Sequence, residues 1–204
     1  MEILEAHEKI HEAGHGHGHH AEHGVPSANT KHIAVLISLL AALLAITDTA
    51  GKSAQNTSVT ANIEAANLWS FFQAKSIRMT VMQVQADALM LNPPAAGSEQ
   101  AQAVEKQIQR WKATAARYDS EPETGEGRKE LSQKAKAAEQ RRDKSLAAYH
   151  LFEYGAAALQ LAIVLSSAAV VTGAMLLAWL SGGLGLIGAG FGLLGWFGPT
   201  LLHL

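Results

Sequence analysis

Apolar residues gather into two stretches of this chain instead of spreading along it. One is residues 32–50, with the charge-free centre IAVLISLLAALLAI; the other is residues 151–204. A soluble core interleaves apolar and polar positions throughout, so segregation on this scale predicts membrane spans. Three are expected: span 1 at 32–50, span 2 at 155–180 and span 3 at 184–203, with Ser181-Gly182-Gly183 as the turn between the last two. At ~1.5 Å per residue, ~19–20 residues suffice to cross a ~30 Å hydrocarbon core. A polar segment, 1–31, precedes span 1, so span 1 reads as a retained anchor and not as a cleaved signal.

Between spans 1 and 2 the pattern is helical. Residues 52–91 contain neither proline nor glycine, so the helix of span 1 is expected to continue to Leu91. Asn92-Pro93-Pro94-Ala95-Ala96-Gly97-Ser98 then stops it, and Ser98 can cap a new helix. In that helix Val104, Ile108, Trp111, Ala115 and Tyr118 follow one another at steps of four and three, a coiled-coil seam. Residues 121–127 interrupt it. Leu131, Ala135, Ala138, Leu146 and Tyr149 resume it and lead into span 2.

Lengths decide how these pieces fold. Residues 52–91 rise ~60 Å as helix and the helical parts of 99–154 total ~74 Å. The two match if 92–98 is the apex of one antiparallel hairpin and 121–127 is a kink or looped-out insert. A third leg would leave span 2 at the wrong end. The expected fold is therefore an all-α membrane protein: three transmembrane helices, with a coiled-coil-like hairpin stalk at 51–154.

Three segments of the stalk carry a resemblance. Asn67-Leu68-Trp69-Ser70-Phe71-Phe72-Gln73-Ala74-Lys75-Ser76-Ile77-Arg78, then Tyr118-Asp119-Ser120-Glu121-Pro122-Glu123-Thr124-Gly125-Glu126-Gly127, then His150-Leu151-Phe152-Glu153-Tyr154 resemble the bacterial "domain of unknown function 4337" family. The resemblance covers nearly the whole chain, His-rich N-terminus included. It implies a small membrane protein with a helical stalk and no established activity, so it supplies no catalytic residues. Relatives of this kind often carry basic residues between spans 2 and 3, where this chain has only Ser181-Gly182-Gly183.

Composition narrows the function classes. The chain is 48% hydrophobic and 17% charged, with a formal net charge of −2. No basic surface argues for nucleic acid. There is no cysteine, which removes disulfides, thiolate metal sites and thiol nucleophiles. No nucleotide-binding loop, Ser–His–Asp set or catalytic metal motif is visible, and the chain is expected not to be an enzyme.

Four groups of residues remain as candidates. Seven histidines, His7, His11, His15, His17, His19, His20 and His23, crowd the N-terminus. His7 and His11 have the i, i+4 spacing of a helical chelate; the rest alternate with glycines and make a flexible one, able to hold Zn, Ni or Cu weakly. The plain alternative is a solvated tail that changes charge near pH ~6.5, and no cofactor is required. Asp48, Lys52, His150 and Glu153 should meet where span 1 leaves the membrane and span 2 returns, with Lys52–Glu153 or Asp48–His150 pairs clamping the neck. Gly173, Gly185, Gly188, Gly192 and Gly195 can bring helices close together, within one chain or between copies. On the stalk, Leu68 and Phe72 lie on one apolar stripe and Ile77, Val81 and Val84 on another; one returning helix covers only one of them.

These features lead to a non-enzymatic membrane scaffold or accessory subunit. The expected partners are lipid and either further copies of the chain or other subunits of a membrane complex. A metal- or pH-responsive membrane protein is the first alternative and a small transporter or channel component the second. The expected location is the bacterial inner membrane. Lys52, Lys134, Lys136, Arg141, Arg142 and Lys144 flank the stalk against Lys31 on the other side, which places the stalk in the cytoplasm. The basic turn of the family-like relatives argues for the opposite orientation.

Overall fold

The structure is a computed structural model and describes residues 28–201. The His-rich segment and its seven histidines lie outside the described residues. The described chain forms four helices and no strand: α1 (Ala28–Leu91), α2 (Glu99–Asp119), α3 (Arg128–Thr172) and α4 (Met175–Phe197). Helices α1, α3 and α4 are each long and apolar enough to cross a membrane.

α1 runs unbroken for 64 residues, ~96 Å, from its apolar segment into the stalk. Its covered face is a heptad stripe. Stepping by four and three from Ile33 to Leu89 gives I-I-L-L-T-G-A-S-A-A-L-F-K-M-M-A-L, and each of these positions is buried or half-buried. A repeat of ~3.5 residues keeps one face toward a neighbour only if the helices wind left-handed about each other. Small residues at Gly51, Ser58, Ala61 and Ala65 let that neighbour approach closely.

The neighbour is mainly α3. Arg142 reaches Asn62, Arg141 Nη2 donates to Glu64 Oε1 at 2.8 Å, and Trp69 Nε1 donates to Glu139 Oε1 at 2.9 Å. Arg128 Nη1 points at Met79 Sδ, 3.4 Å away. Farther along α1, Lys112 of α2 approaches Met90. Toward the other end Leu40 of α1 packs with Leu159 and Ala162 of α3, and Leu184 of α4 closes the cluster.

The turn between the last two spans is not at Ser181-Gly182-Gly183. α3 ends at Thr172, and Gly173 takes the left-handed conformation at φ 70°, its N–H donating to Ala169 O. α4 then runs straight through residues 181–183. Span 2 is therefore shorter than 155–180, and span 3 starts earlier than 184. A glycine ends the helix because it reaches φ > 0 without a Cβ clash. The glycines at 182 and 183 instead sit inside a helix, and Ser181 beside them is fully buried.

Candidate functional site

Two places concentrate polar side chains: the joint between α2 and α3, and the neck where α1 and α3 leave their apolar segments. The joint follows from its sequence. α2 ends at Asp119, Gly125 turns the chain at φ 66°, and Gly127 starts α3. A Cβ on Gly127 would meet the Glu130 carboxylate, the Glu121 N–H and, at 2.7 Å, Ser120 Cα, so no larger residue fits. Glu130, in the first turn of α3, accepts from the Ser120 hydroxyl at 2.7 Å and from Glu121 N–H at 3.2 Å. These bonds, the Ser120 one foremost, hold its carboxyl below the usual range.

Ion pairs flank the turn. Arg117 donates twice to Glu121 Oε1, at 2.6 and 3.0 Å, and lowers the Glu121 pKa. Lys129 lies 2.8 Å from Asp119, lowering the aspartate pKa and raising its own. Lys134 Nζ donates to Gly125 O at 2.7 Å.

The joint rests on α1 through two cations. Lys75 is buried, its Nζ 3.6 Å from the Glu126 carboxylate and 5.4 and 5.7 Å from the ring centroids of Phe71 and Tyr118. Arg128 stacks 5.1 Å over Phe72 and lies 3.6 Å from Asp119. Two of the family-like segments, 67–78 and 118–127, thus meet at Lys75. The sequence reading did not single out this lysine. Its signal was its place on the covered stripe, between Phe72 and Met79. A buried ammonium is tolerated when a carboxylate and ring faces replace its water. Chemically the joint is a splint: it makes α2 and α3 behave as one partner of α1.

At the neck the expected cross-helix pairs do not form. Lys52 pairs with Asp48 of its own helix at 3.0 Å, and His150 lies 3.8 Å from Glu153 of its own helix. Neighbours at i, i+4 or i, i+3 already face each other at an exposed surface, whereas a pair across helices would have to be reached. Asp48, Lys52 and Glu153 line one cavity of about 400 Å³ with Gln55, Tyr149 and Gln160. What closes the neck is Phe152. Its ring lies against Gly195 at 3.0–3.2 Å from where a Cβ would stand, its Cβ is 3.2 Å from that of a side chain at Gly51, and Trp196 meets it edge-on at 6.1 Å.

Three more of the candidate glycines of α4 pack within the chain. Gly185 faces Leu40, Gly188 crosses Gly155 and Leu159, and Gly192 faces Thr47. Gly173 does not belong with them: nothing lies within 4 Å of a Cβ there, and its role is to end α3. Deep among the spans Ser181 Oγ donates to Ala162 O at 2.8 Å and accepts from the Ser166 hydroxyl, both serines fully buried. On the stalk Leu68 and Phe72 are half-buried against the returning helix, while Ile77, Val81 and Val84 are exposed. Among the described residues no three His, Asp or Glu side chains converge as a metal site.

The family description "Domain of unknown function (DUF4337)" matches residues 29–198. That range takes in all four helices save the first residue of α1. No curated protein and no solved structure matches the chain.

Proposed function

We propose a function from the premise that the chain belongs to the DUF4337 family: it is a non-enzymatic membrane scaffold or accessory subunit. Its spans hold a stiff stalk, and the stalk is the working surface. The observation that carries this reading is the continuity of α1, which passes from a membrane-length apolar segment to Leu91 without a break. Movement or load at one end of such a helix is felt at the other.

The stalk is an antiparallel hairpin in this reading. In its support, the partners of Asn62, Glu64, Trp69 and Met79 are Arg142, Arg141, Glu139 and Arg128, numbers that fall as those on α1 rise. The joint supports it too, because it ties α2 and α3 to the same face of α1 at Phe72 and Lys75. The basic residues at 134–144 favour a cytoplasmic stalk on a bacterial inner membrane.

Capture from native membranes in mild detergent tests the scaffold. Wild type should bring associated protein with it, and Ile77→Asp with Val81→Asp should lose that protein while the chain stays in the membrane fraction. A wild-type chain that travels alone contradicts the proposal.

A further inference from the structure

α1 carries a second heptad stripe, two residues offset from the covered one and so ~200° around the helix. Stepping by four and three from Val35 to Leu91 it reads V-L-A-I-T-S-N-T-I-N-S-A-I-V-V-A-L. It contains no charged residue, although Asp48, Lys52, Glu64, Arg78 and Asp87 all lie on the same helix. Each position is exposed except Ala74, which is half-buried. Ile63, Ile77, Val84 and Leu91 are 56%, 64%, 60% and 80% exposed. Two shallow grooves run beside the stripe, one from Ala45 to Thr57 that Phe152 and Trp196 also wall, and one from Thr60 to Ala74.

We infer that this open stripe is the contact with a second copy of the chain, the two α1 helices winding about each other in parallel and in register. The inference rests on the membrane-scaffold reading, because spans inserted with the same topology force the α1 helices of two copies to run the same way. It rests also on the repeat. Both stripes keep the same ~3.5-residue period, so the winding that holds the covered stripe on its neighbour also keeps the open stripe facing a copy of itself. A partner of unrelated pitch would meet it over one or two turns only.

Charge agrees with a parallel pair. The positions flanking the stripe would set Lys52 against Thr57, Gln73 against Arg78 and Asp87 against Asn92 of the copy, so like charges do not meet. Asn67 would face its own counterpart among apolar and small residues. Asn56 would meet its counterpart likewise on the same stripe, and buried asparagine pairs fix register, since a slip by one heptad leaves the amides unpaired. Near the membrane surface the stripe turns to Thr49, Ser53, Asn56 and Thr60, small polar groups that suit a close crossing at headgroup level.

The chain has no cysteine, so single cysteines report cleanly. Ser70→Cys, Ile77→Cys and Val84→Cys are introduced one at a time, with Ser76→Cys and Gln83→Cys off the stripe, and oxidised in native membranes. The stripe positions should give disulfide-linked dimer at least ~10-fold above the other two, because only Cα atoms within ~7 Å can be bridged. Ile77→Asp with Val84→Asp in the Ser70→Cys chain should abolish the product. A flat profile, no dimer, or adducts with another protein alone overturns the second copy. Alkaline carbonate washing of the same membranes separates the two readings: a retained chain without stripe crosslinks leaves the scaffold standing, and a released chain overturns both.

Discussion

Replacing Gly188 by alanine adds one methyl at the tightest crossing of α3 and α4. The added Cβ would lie 2.8 Å from Leu159 Cγ, 2.9 Å from Gly155 O and 3.2 Å from Leu159 N. Leu159 is fully buried and cannot swing aside, and the other two atoms are backbone. The helices must therefore separate, at the ~1–3 kcal/mol typical of forcing a methylene into a packed interior. Gly190, two residues along, is the internal control, since nothing lies within 4 Å of its Cβ position. Both substitutions gain the same helix propensity, ~1 kcal/mol. The difference between Gly188→Ala and Gly190→Ala therefore isolates the packing cost, ~1–3 kcal/mol or ~5–150-fold in the unfolding equilibrium. Unfolding in mixed micelles, followed by circular dichroism and by tryptophan fluorescence, measures it. Equal stabilities for the two variants, or a less stable Gly190→Ala, would refute the close crossing.

Other outcomes follow from the joint and the buried serines. Ser181→Ala removes the donor to Ala162 O and the acceptor of Ser166, and the same unfolding assay should show a loss of ~0.6–1.7 kcal/mol. Gly127→Ala should speed hydrogen exchange across residues 117–134 and leave the spans unchanged, since its Cβ displaces Ser120 and the Glu130 carboxylate. Acidification should loosen the same joint. The carboxyls of Asp119, Glu121 and Glu130 are held below their ordinary values of 3.8, 4.5 and 4.5 by Lys129, Arg117 and Ser120. Groups depressed in the folded state stabilise it above those ordinary values and lose that contribution as pH falls through the lowered ones. Exchange at 117–134, corrected for intrinsic rates, should therefore be flat from neutral pH to about 5 and rise below about 4; unchanged protection at pH ~3 would show that these pairs do not hold the joint.

Much of the architecture was legible because strong breakers and long uninterrupted runs are local signals. Pro93-Pro94 ends α1, Ser98 caps α2 by accepting from Ala101 N–H, and the absence of breakers from 52 to 91 carries α1 through. The stripes of α1 were legible for the same reason, and Ile77, Val81 and Val84 are exposed because the returning chain, α3 up to Met79 and α2 beyond it, covers one side of α1 only. The α3–α4 boundary was not legible. Ser181-Gly182-Gly183 looks like a turn in water, but in an apolar helix it continues the helix, with Ser181 buried, and between the two spans it is Gly173 that adopts positive φ. The neck pairs were misjudged because proximity to the membrane says nothing about which partner lies nearest; Lys52 found Asp48 one turn away. Lys75 escaped notice because a lysine on a stalk reads as solvated until Phe71, Tyr118 and Glu126 are seen around it.

The central claim is a rigid helix that carries the membrane anchor into the stalk, and one distance tests it most directly. Spin labels at Ser38→Cys and Gln73→Cys, in a chain diluted with unlabelled protein in lipid nanodiscs, sit on α1 inside span 1 and in the stalk, on either side of the neck. One unbroken helix puts them ~52 Å apart, and pulsed electron paramagnetic resonance should return a single narrow distribution about that value. A broad distribution, or one centred well below it, would mean that α1 breaks after leaving the membrane and that the stalk is not held by its anchor.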